Sequence, residues 1–502
     1  MVEITAYTSR TIDYEPDTAA LIPQFPDYVI VGTYSLSSED AQVDTSDSTD
    51  QQQSSVQRRH GMLQVLPFDY SPTNLDGDSL ARSLVAYKFP DCGIYSVHFH
   101  PQYSHILGAA ASDARIYFFH VSASASSESN HPVFSLTLIG SVLVENPEDN
   151  DGQIAIITQF HFLTSPSNPE TRITLVATSQ FGNTKHVLVD LPNISEHTWT
   201  SDGAIATSLA CQTQQVHQQA YGMEAWSVLA LSTTSTTPTT LTQHTILSGG
   251  DDSQLILSAS TTPAQQPPTF HSLLIDRHAH TAGIVSITSL GPVPFQLKPA
   301  TTKTSLPPHL IATGSYDEHL RIFLFDPSPF PSAPRPTLTL LSTLKLPSGV
   351  WRITLLDHYT RSNTHPRRKT DYLLLIAGHT AGAFIVRLTI TSSEADADAN
   401  KRHHGEIDGE QYTSPPQITA ELHEEASFTI GHGSLVYSCL ARLGAPAAAA
   451  AATTTPAGGV EHQSESEVKL ESGRVWHVLS CSFYDKRLCN WQWTDREWVA
   501  SI

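Results

Sequence analysis

Few side chains in this sequence are of a type and in a setting that could do chemistry. Glu318 and His319 follow Asp317 in a tight turn, and Glu224 stands two residues before Trp226. Carboxylates and imidazoles are the groups that move protons near neutral pH. Arg352 follows Trp351, and Trp and Arg often dominate binding surfaces. Gly431-His-Gly-Ser434 is the nearest approach to a nucleophile beside its base. Adjacency in sequence does not make a triad, which is defined by geometry; the plainer reading of His432 is structural. His98-Phe-His100 and His278-Ala-His280 put two imidazoles on one face of a strand. No third ligand of matching kind accompanies either pair, and a zinc site takes three or four. No metal and no cofactor is expected. The strings of P-loops, dinucleotide folds, serine-hydrolase elbows and zinc proteases are absent.

The elements that would position these residues are short strands in a repeat. Ile311–Asp326 reads as two strands, 311–315 and 319–325, joined by a turn carrying Asp317. Variants occur around Asp113, Asp252 and Asp485, each Asp followed three residues later by Leu or Ile. Fainter copies start at Val29, Leu175 and Leu374. A recurring strand-turn-strand unit with no three-turn amphipathic helix predicts an all-β fold, a seven-bladed WD40-type β-propeller. The recurring Asp residues read as turn-fixing acceptors. Glu224, Glu318 and His319 do not recur and so are the better functional candidates.

Blades would open on inner strands at Gly93–Phe99, Glu224–Val228, Gly283–Ile287, Gly349–Ile353 and Ser434–Ser438. The start of an inner strand and the Asp turn share one face of a propeller. Glu224, Trp226, Trp351, Arg352, His432, the 317–319 turn and Tyr484 should therefore gather there. The chain reads as one domain over 1–502. Low-complexity insertions are expected at 37–58, 122–130, 232–242, 261–269, 392–416 and 445–471, which lack the spaced apolar residues needed to offset ordering.

The formal net charge of -21, with 28 Lys+Arg against 49 Asp+Glu, argues against nucleic acid and an anionic membrane surface. It is compatible with a basic protein partner. Five cysteines without a CxxC suit a reducing compartment. No apolar run is long enough for a membrane span and no signal pattern opens the chain, so a cytoplasmic location is expected.

Several strings occur together and in order: EAW (224–226), SGGDD (248–252), HxxGIVSI (280–287), ATGSYDEHLRIF (312–323), GVWRI (349–353), GHGSLVYS (431–438) and SCSFYDKRLCNW (480–491). The set resembles the WD-repeat diphthine methyl ester hydrolases of diphthamide biosynthesis. The resemblance is concentrated over 217–326, 349–353 and 431–491 and is weak over the first 90 residues. It implies hydrolysis of the methyl ester of methylated diphthine on elongation factor 2, without a cofactor. It transfers a reaction but no defined catalytic group. Within it, His319 or His432 would be the general base, oriented by Glu318 or Glu224. Arg352 would stabilise the oxyanion or hold a substrate carboxylate. Trp226, Trp351, Tyr316 and Tyr484 would bind substrate. The competing expectation is a non-catalytic WD scaffold that binds protein partners on the channel face, as most such propellers do.

Overall fold

A computed structural model describes residues 7–39, 56–68, 83–125, 132–163, 172–192, 208–234, 241–263, 268–294, 307–327, 336–364, 367–393, 417–444 and 474–495. Seven antiparallel sheets make up these residues, one per blade of a β-propeller. Blade 1 holds β2 (Pro16–Ile22), β3 (Phe25–Thr33), β5 (Val56–Pro67) and β6 (Val85–Phe89), with β4 (Ser35–Glu39) paired to the first half of β5. Blade 2 runs β7 (Ile94–Phe99), β8 (Ile106–Ala111), β9 (Arg115–Ser124), β10 (Val133–Leu143). Blade 3 is β11 (Ile157–Leu163), β12 (Arg172–Ser179), β13 (Asn183–Asp190), β14 (Cys211–Gln218). Blade 4 is β15 (Ala225–Thr234), β16 (Leu241–Gly250), β17 (Leu255–Pro263), β18 (Phe270–Asp276). Blade 5 is β19 (Ile284–Pro292), β20 (His309–Ser315), β21 (His319–Asp326), β22 (Thr337–Lys345). Blade 6 is β23 (Val350–Thr364), β24 (Arg367–Gly378), β25 (Gly382–Ser393), β26 (Gln417–Phe428).

Blade 7 closes the ring. It contains β27 (Val436–Leu443), β28 (Arg474–Ser482) and β29 (Arg487–Asp495), and its outer strand is β1 (Tyr7–Thr11) from the other end of the chain. Pairing β1 to β29 covers an edge that would otherwise be free. Each interface between adjacent blades carries its own apolar cluster, seven in all. The smallest lies between blades 3 and 4, around Leu163, Val176, Val228 and Ile246.

The inner strands repeat a device that repetition in the sequence does not make obvious. Each bulges at its second residue: Asp17, Tyr95, Thr158, Trp226, Val285, Trp351 and Tyr437 are skipped in the pairing to the next strand. A bulge re-aims its side chain, and at Tyr95, Trp226, Trp351 and Tyr437 it brings a ring against rings of other blades. The following residue often stitches the free inner edge to the next blade. Val97 N donates to Thr18 Oγ1 (3.3 Å), Val228 N to Gln159 Oε1 (2.8 Å), Ile287 N to Ser227 Oγ (2.8 Å) and Ile353 N to Ser286 Oγ (3.1 Å). These bonds satisfy amides that have no strand partner on the channel side.

The recurring Asp turns tie each blade to the loop entering it. Asp252 accepts from Ala220 N (2.8 Å), Asp317 from Thr281 N (3.0 Å) and Asp485 from Gly433 N (2.8 Å). Asp113 departs from the pattern and takes the Tyr117 hydroxyl at 2.5 Å. Asp317 also accepts from His319 N and from both Arg321 Nη atoms, at 2.8–3.1 Å. Burial raises this carboxyl, but the Arg321 guanidinium and the two amides overcome burial and hold it at about 2. A depressed folded-state pKa contributes stability above the unfolded value of 3.8 that is lost as pH falls through about 2. Asp317→Ala should therefore cost about 2 kcal/mol at neutral pH. Its difference from the parent should shrink in urea melts taken from pH 5 down to 2.

Strand continues into several of the segments expected to be insertions. Residues 37–39 belong to β4 and 56–58 to β5; 122–124 end β9, 232–234 end β15, 241–242 open β16, 261–263 end β17 and 392–393 end β25. These parts correct the sequence expectation: polar residues there pair in hairpin extensions of the blades, as Thr234 does with Thr242. Residues 125 and 268–269 are described without strand, and the remainder of those segments, including all of 445–471, lies outside the described residues.

Candidate functional site at the channel mouth

The bulged residues bring aromatic rings together across blades at the end of the channel where the Asp turns lie. Trp351 is the hub. Its ring stacks on Tyr437 (centroids 4.6 Å) and His379 (5.5 Å) and meets Tyr316 (5.6 Å) and Trp226 (6.1 Å). Tyr437 continues to Phe483 (4.7 Å), which touches Tyr484 (5.0 Å) and Tyr34 (6.3 Å), and Tyr34 meets Tyr95 (4.9 Å). The result is an aromatic arc contributed by blades 1, 2, 4, 5, 6 and 7.

A carboxylate pair borders the arc. Trp226 Nε1 donates to Asp251 Oδ1 at 2.8 Å, and Asp251 N donates to the Glu224 carbonyl at 2.9 Å. Burial raises the Asp251 carboxyl, the Trp226 bond opposes this, and the neighbouring Glu224 carboxyl raises it further. Gly283 makes room: a Cβ there would lie 2.6 Å from Asp251 Oδ1 and 3.2 Å from the Tyr316 ring. Burial also raises the Tyr316 and Tyr437 hydroxyls and lowers His379, so this lining is neutral apart from its carboxylates.

Below the arc the channel narrows to a cavity of about 330 Å³, lined in part by Ser96, His98, Gln159, His161, Arg352 and Thr354. Asp17 occupies the bulged position of blade 1, at the top of the same channel. It is 7% exposed, and burial raises its carboxyl to about 7 against the opposing pull of Arg352. A folded-state pKa raised above the unfolded 3.8 means stability that is present below that value and lost as pH climbs through about 7. Asp17→Asn should thus be more stable than the parent by about 2–4 kcal/mol at pH 8 and indistinguishable from it near pH 4. Paired denaturant titrations at the two pH values check this.

Among the sequence candidates, Trp226, Trp351, Tyr316 and Glu224 meet at the mouth, and Tyr484 reaches it through Phe483. Arg352 points deeper, its Nη1 donating to the Val285 carbonyl at 3.1 Å. Glu318, His319 and His432 do not join them. Glu318 has a left-handed backbone (φ 67°) and pairs with Lys345 on the outer strand at 3.3 Å. His319 Nδ1 donates to the Asp317 carbonyl at 2.6 Å, one turn away from the axis. His432 Nε2 bonds Ser480 Oγ at 2.7 Å, and Trp491 Nε1 donates to the same oxygen at 3.3 Å. Burial lowers His432 to about 4, so it is a neutral internal strut of blade 7. His280 with Thr313 (2.9 Å) and His217 with Ser248 repeat the arrangement in blades 5 and 4.

The expected pairing of His319 or His432 with Glu318 or Glu224 is therefore not formed. The physical reason is that Glu318 turns to Lys345 on the outer strand, His319 to the carbonyl of its own turn and His432 to Ser480 inside blade 7, so none is free to pair at the mouth. Sequence reasoning missed Tyr437, His379, Asp251 and Asp17. The signal for Tyr437 was present, as the residue two places after Leu435 matches Trp351 two places after Gly349. His379 has no such cue. No cluster of His, Cys, Asp and Glu among the described residues could hold a metal ion. The thiols Cys92, Cys439, Cys481 and Cys489 are buried and unbridged.

No protein-family model matches this chain, and no curated protein does. Solved structures of a propeller are similar to it. Sqt1 from Chaetomium thermophilum aligns over 98% of this chain and 99% of that chain, at 12% identity and TM-score 0.42. Sqt1 bound to the N-terminus of the ribosomal protein L10 aligns over 77% and 87% respectively, at 12% identity and TM-score 0.38. A further Sqt1 structure covers 77% and 85%, at 12% identity and TM-score 0.40. This likeness concerns the fold alone.

Proposed function

We propose that the channel mouth docks a cation-bearing segment of a partner protein, with the propeller acting as its scaffold. The observation that carries this is the meeting of Trp226, Tyr316, Trp351 and Tyr437 around one opening bordered by Asp251 and Glu224. Aromatic faces attract an ammonium or guanidinium electrostatically, more strongly where water is excluded, and carboxylates at the rim add long-range attraction. The same face carries exposed apolar anchors on its loops and turns: Tyr221 at 99%, Ile430 at 69% and Tyr484 at 67%. Tyr221 holds a left-handed backbone (φ 59°) to stand there. Exposed apolar groups with an acidic surround suit a basic segment with apolar side chains.

A second reading concerns the same mouth. The strings that resemble diphthine methyl ester hydrolases supply Glu224, Trp226, Asp251, Tyr316, Trp351, Tyr437 and Tyr484, all of them at or beside it. In that reading the partner is elongation factor 2, and the arc receives the trimethylammonium of methylated diphthine. A water oxygen adds to the ester carbonyl as its proton passes to the Asp251–Glu224 pair. The tetrahedral intermediate then expels methanol, which takes that proton, and leaves a carboxylic acid that ionises by giving its own proton to water. A carboxyl whose proton affinity is raised by burial, as that of Asp251 is, is suited to that exchange.

The decisive experiment uses elongation factor 2 bearing methylated diphthine, with an unmodified basic peptide as control. Calorimetric titration and mass analysis of the modified peptide are run on the parent, Trp226→Ala and Asp251→Asn. Docking lost in both variants supports the first reading. Loss of the ester methyl group with parent protein only, beyond docking, supports the second. Equal affinity in all three proteins would sink both.

A further inference from the structure

Arg352 is the observation that the mouth does not account for. It lies in the channel wall below the aromatic arc, with its accessible surface opening to the lumen. Burial lowers its proton affinity, and Asp17 and Tyr316 only partly restore it. Its one hydrogen bond among the described residues is to the Val285 carbonyl, its guanidinium carbon lies 5.8 Å from the centre of the Trp351 ring, and none of their carboxylates lies within 4.0 Å of it. A guanidinium has five N–H donors, and buried cations are ordinarily paired. The cavity beneath it is lined by groups that can accept or donate without adding charge: Gln159, His98, His161 and Thr354. Burial holds His98 at about 3, so its imidazole is neutral and offers one N–H.

We infer that this cavity is a binding site for a single carboxylate, held by the free donors of Arg352 and by the neutral amide and imidazole groups of Gln159, His98 and His161. The volume of about 330 Å³ is that of roughly ten water molecules at ~30 Å³ each, enough for a short-chain acid or a side chain. Asp17, at the top of the same channel, sets the charge. It leaves room for one negative charge opposite Arg352 and disfavours a dianion such as phosphate. The carboxylate could belong to a free small acid or to a segment entering through the mouth. The site differs from the cation-attracting mouth in depth, in sign and in residues, so it stands or falls separately from the proposed docking function.

Acetate and propionate, with acetamide, propionamide and inorganic phosphate as controls, are titrated into the purified full chain and followed by ligand-observed NMR. Saturable binding of both acids, with none for the amides and at least ~10-fold weaker binding of phosphate, is expected. Arg352→Met should abolish it and Arg352→Lys weaken it, because the fork of donors is lost. At pH 8, where the Asp17 carboxyl is ionised, Asp17→Asn should tighten it roughly tenfold by removing an opposing charge. Trp226→Ala should leave it unchanged. Peptides ending in a free carboxylate, against their C-terminal amides, separate the two sources: a peptide acid at least ~10-fold tighter than propionate assigns the site to an incoming segment, and equal affinities assign it to a free acid. Absence of saturable binding to the folded parent overturns the inference, as does equal affinity in parent and Arg352→Met. Should that variant not fold, unchanged affinity in Asp17→Asn at pH 8 overturns it.

Discussion

Arg387→Ala is expected to destabilise the propeller by about 3–5 kcal/mol, because it removes the guanidinium that pairs with the carboxylates of Glu425 and Asp495. Arg387 Nε donates to Glu425 Oε1 at 2.7 Å, Nη2 to Asp495 Oδ1 at 2.9 Å and Nη1 to the Tyr359 hydroxyl at 2.5 Å. Its side chain is 4% exposed, and those of Asp495 and Asp371 are 3% and 0% exposed. Asp371 is bonded in turn by Arg361 at 2.5 Å and Thr389 at 2.7 Å. The network thus ties β23, β24, β25 and β26 of blade 6 to the last residue of β29 in blade 7. Removing charge from all sides should behave differently. Arg387→Met with Glu425→Gln and Asp495→Asn should recover most of the loss, since a neutral, well-packed replacement of a buried ion network is often tolerated. Denaturant midpoints at unchanged m-value measure both. An alanine variant within about 1 kcal/mol of the parent would mean that water enters and solvates these acids.

Trp491→Ala should cost a similar amount, about 3–5 kcal/mol, by opening a cavity in blade 7. Trp491 is 1% exposed and stacks on Phe428 at 4.9 Å between centroids. Its indole N–H also anchors Ser480, which holds His432. His432→Ala keeps the ring but leaves Ser480 without the imidazole, and about 1–3 kcal/mol is expected. The two losses should not add, because both remove one hydrogen-bonded unit. A double-mutant cycle in urea gives the coupling. Docking at the mouth should follow the folded fraction in both variants. Lost docking with undiminished stability in His432→Ala would return that histidine to the functional site.

The two ends of the channel differ in a way that bears on function. In an antiparallel blade that starts from the mouth, the first-to-second and third-to-fourth strand connections fall at the far end. The sequence segments at 232–242, 261–269, 392–416 and 445–471 all join strands there. Only the 37–58 segment, between β4 and β5, leaves from the mouth end.

Repetition in the chain determined the architecture. Asp252, Asp317 and Asp485, each set before a strand and behind small residues, mark turns whose carboxylates must find backbone amides, and the blades around them follow. The histidine 35 to 53 residues ahead of each Asp reads as part of the same device once Ser248, Thr313 and Ser480 are seen to receive it. Trp226 and Trp351 were also legible, as large residues near the start of an inner strand. What sequence could not determine is direction. A skipped residue in a strand pair has its side chain re-aimed, and whether a residue is skipped depends on the pairing partner. Trp351 and Tyr437 therefore share the channel, whereas Glu318 and His319, adjacent to a conspicuous turn, bond Lys345 and the carbonyl of their own turn. Convergence of Asp17 with Arg352, 335 positions apart by their numbers, exists only because β1 and β29 close the ring. Their mutual field depends on burial in a common channel, and burial is a property of the closed ring alone.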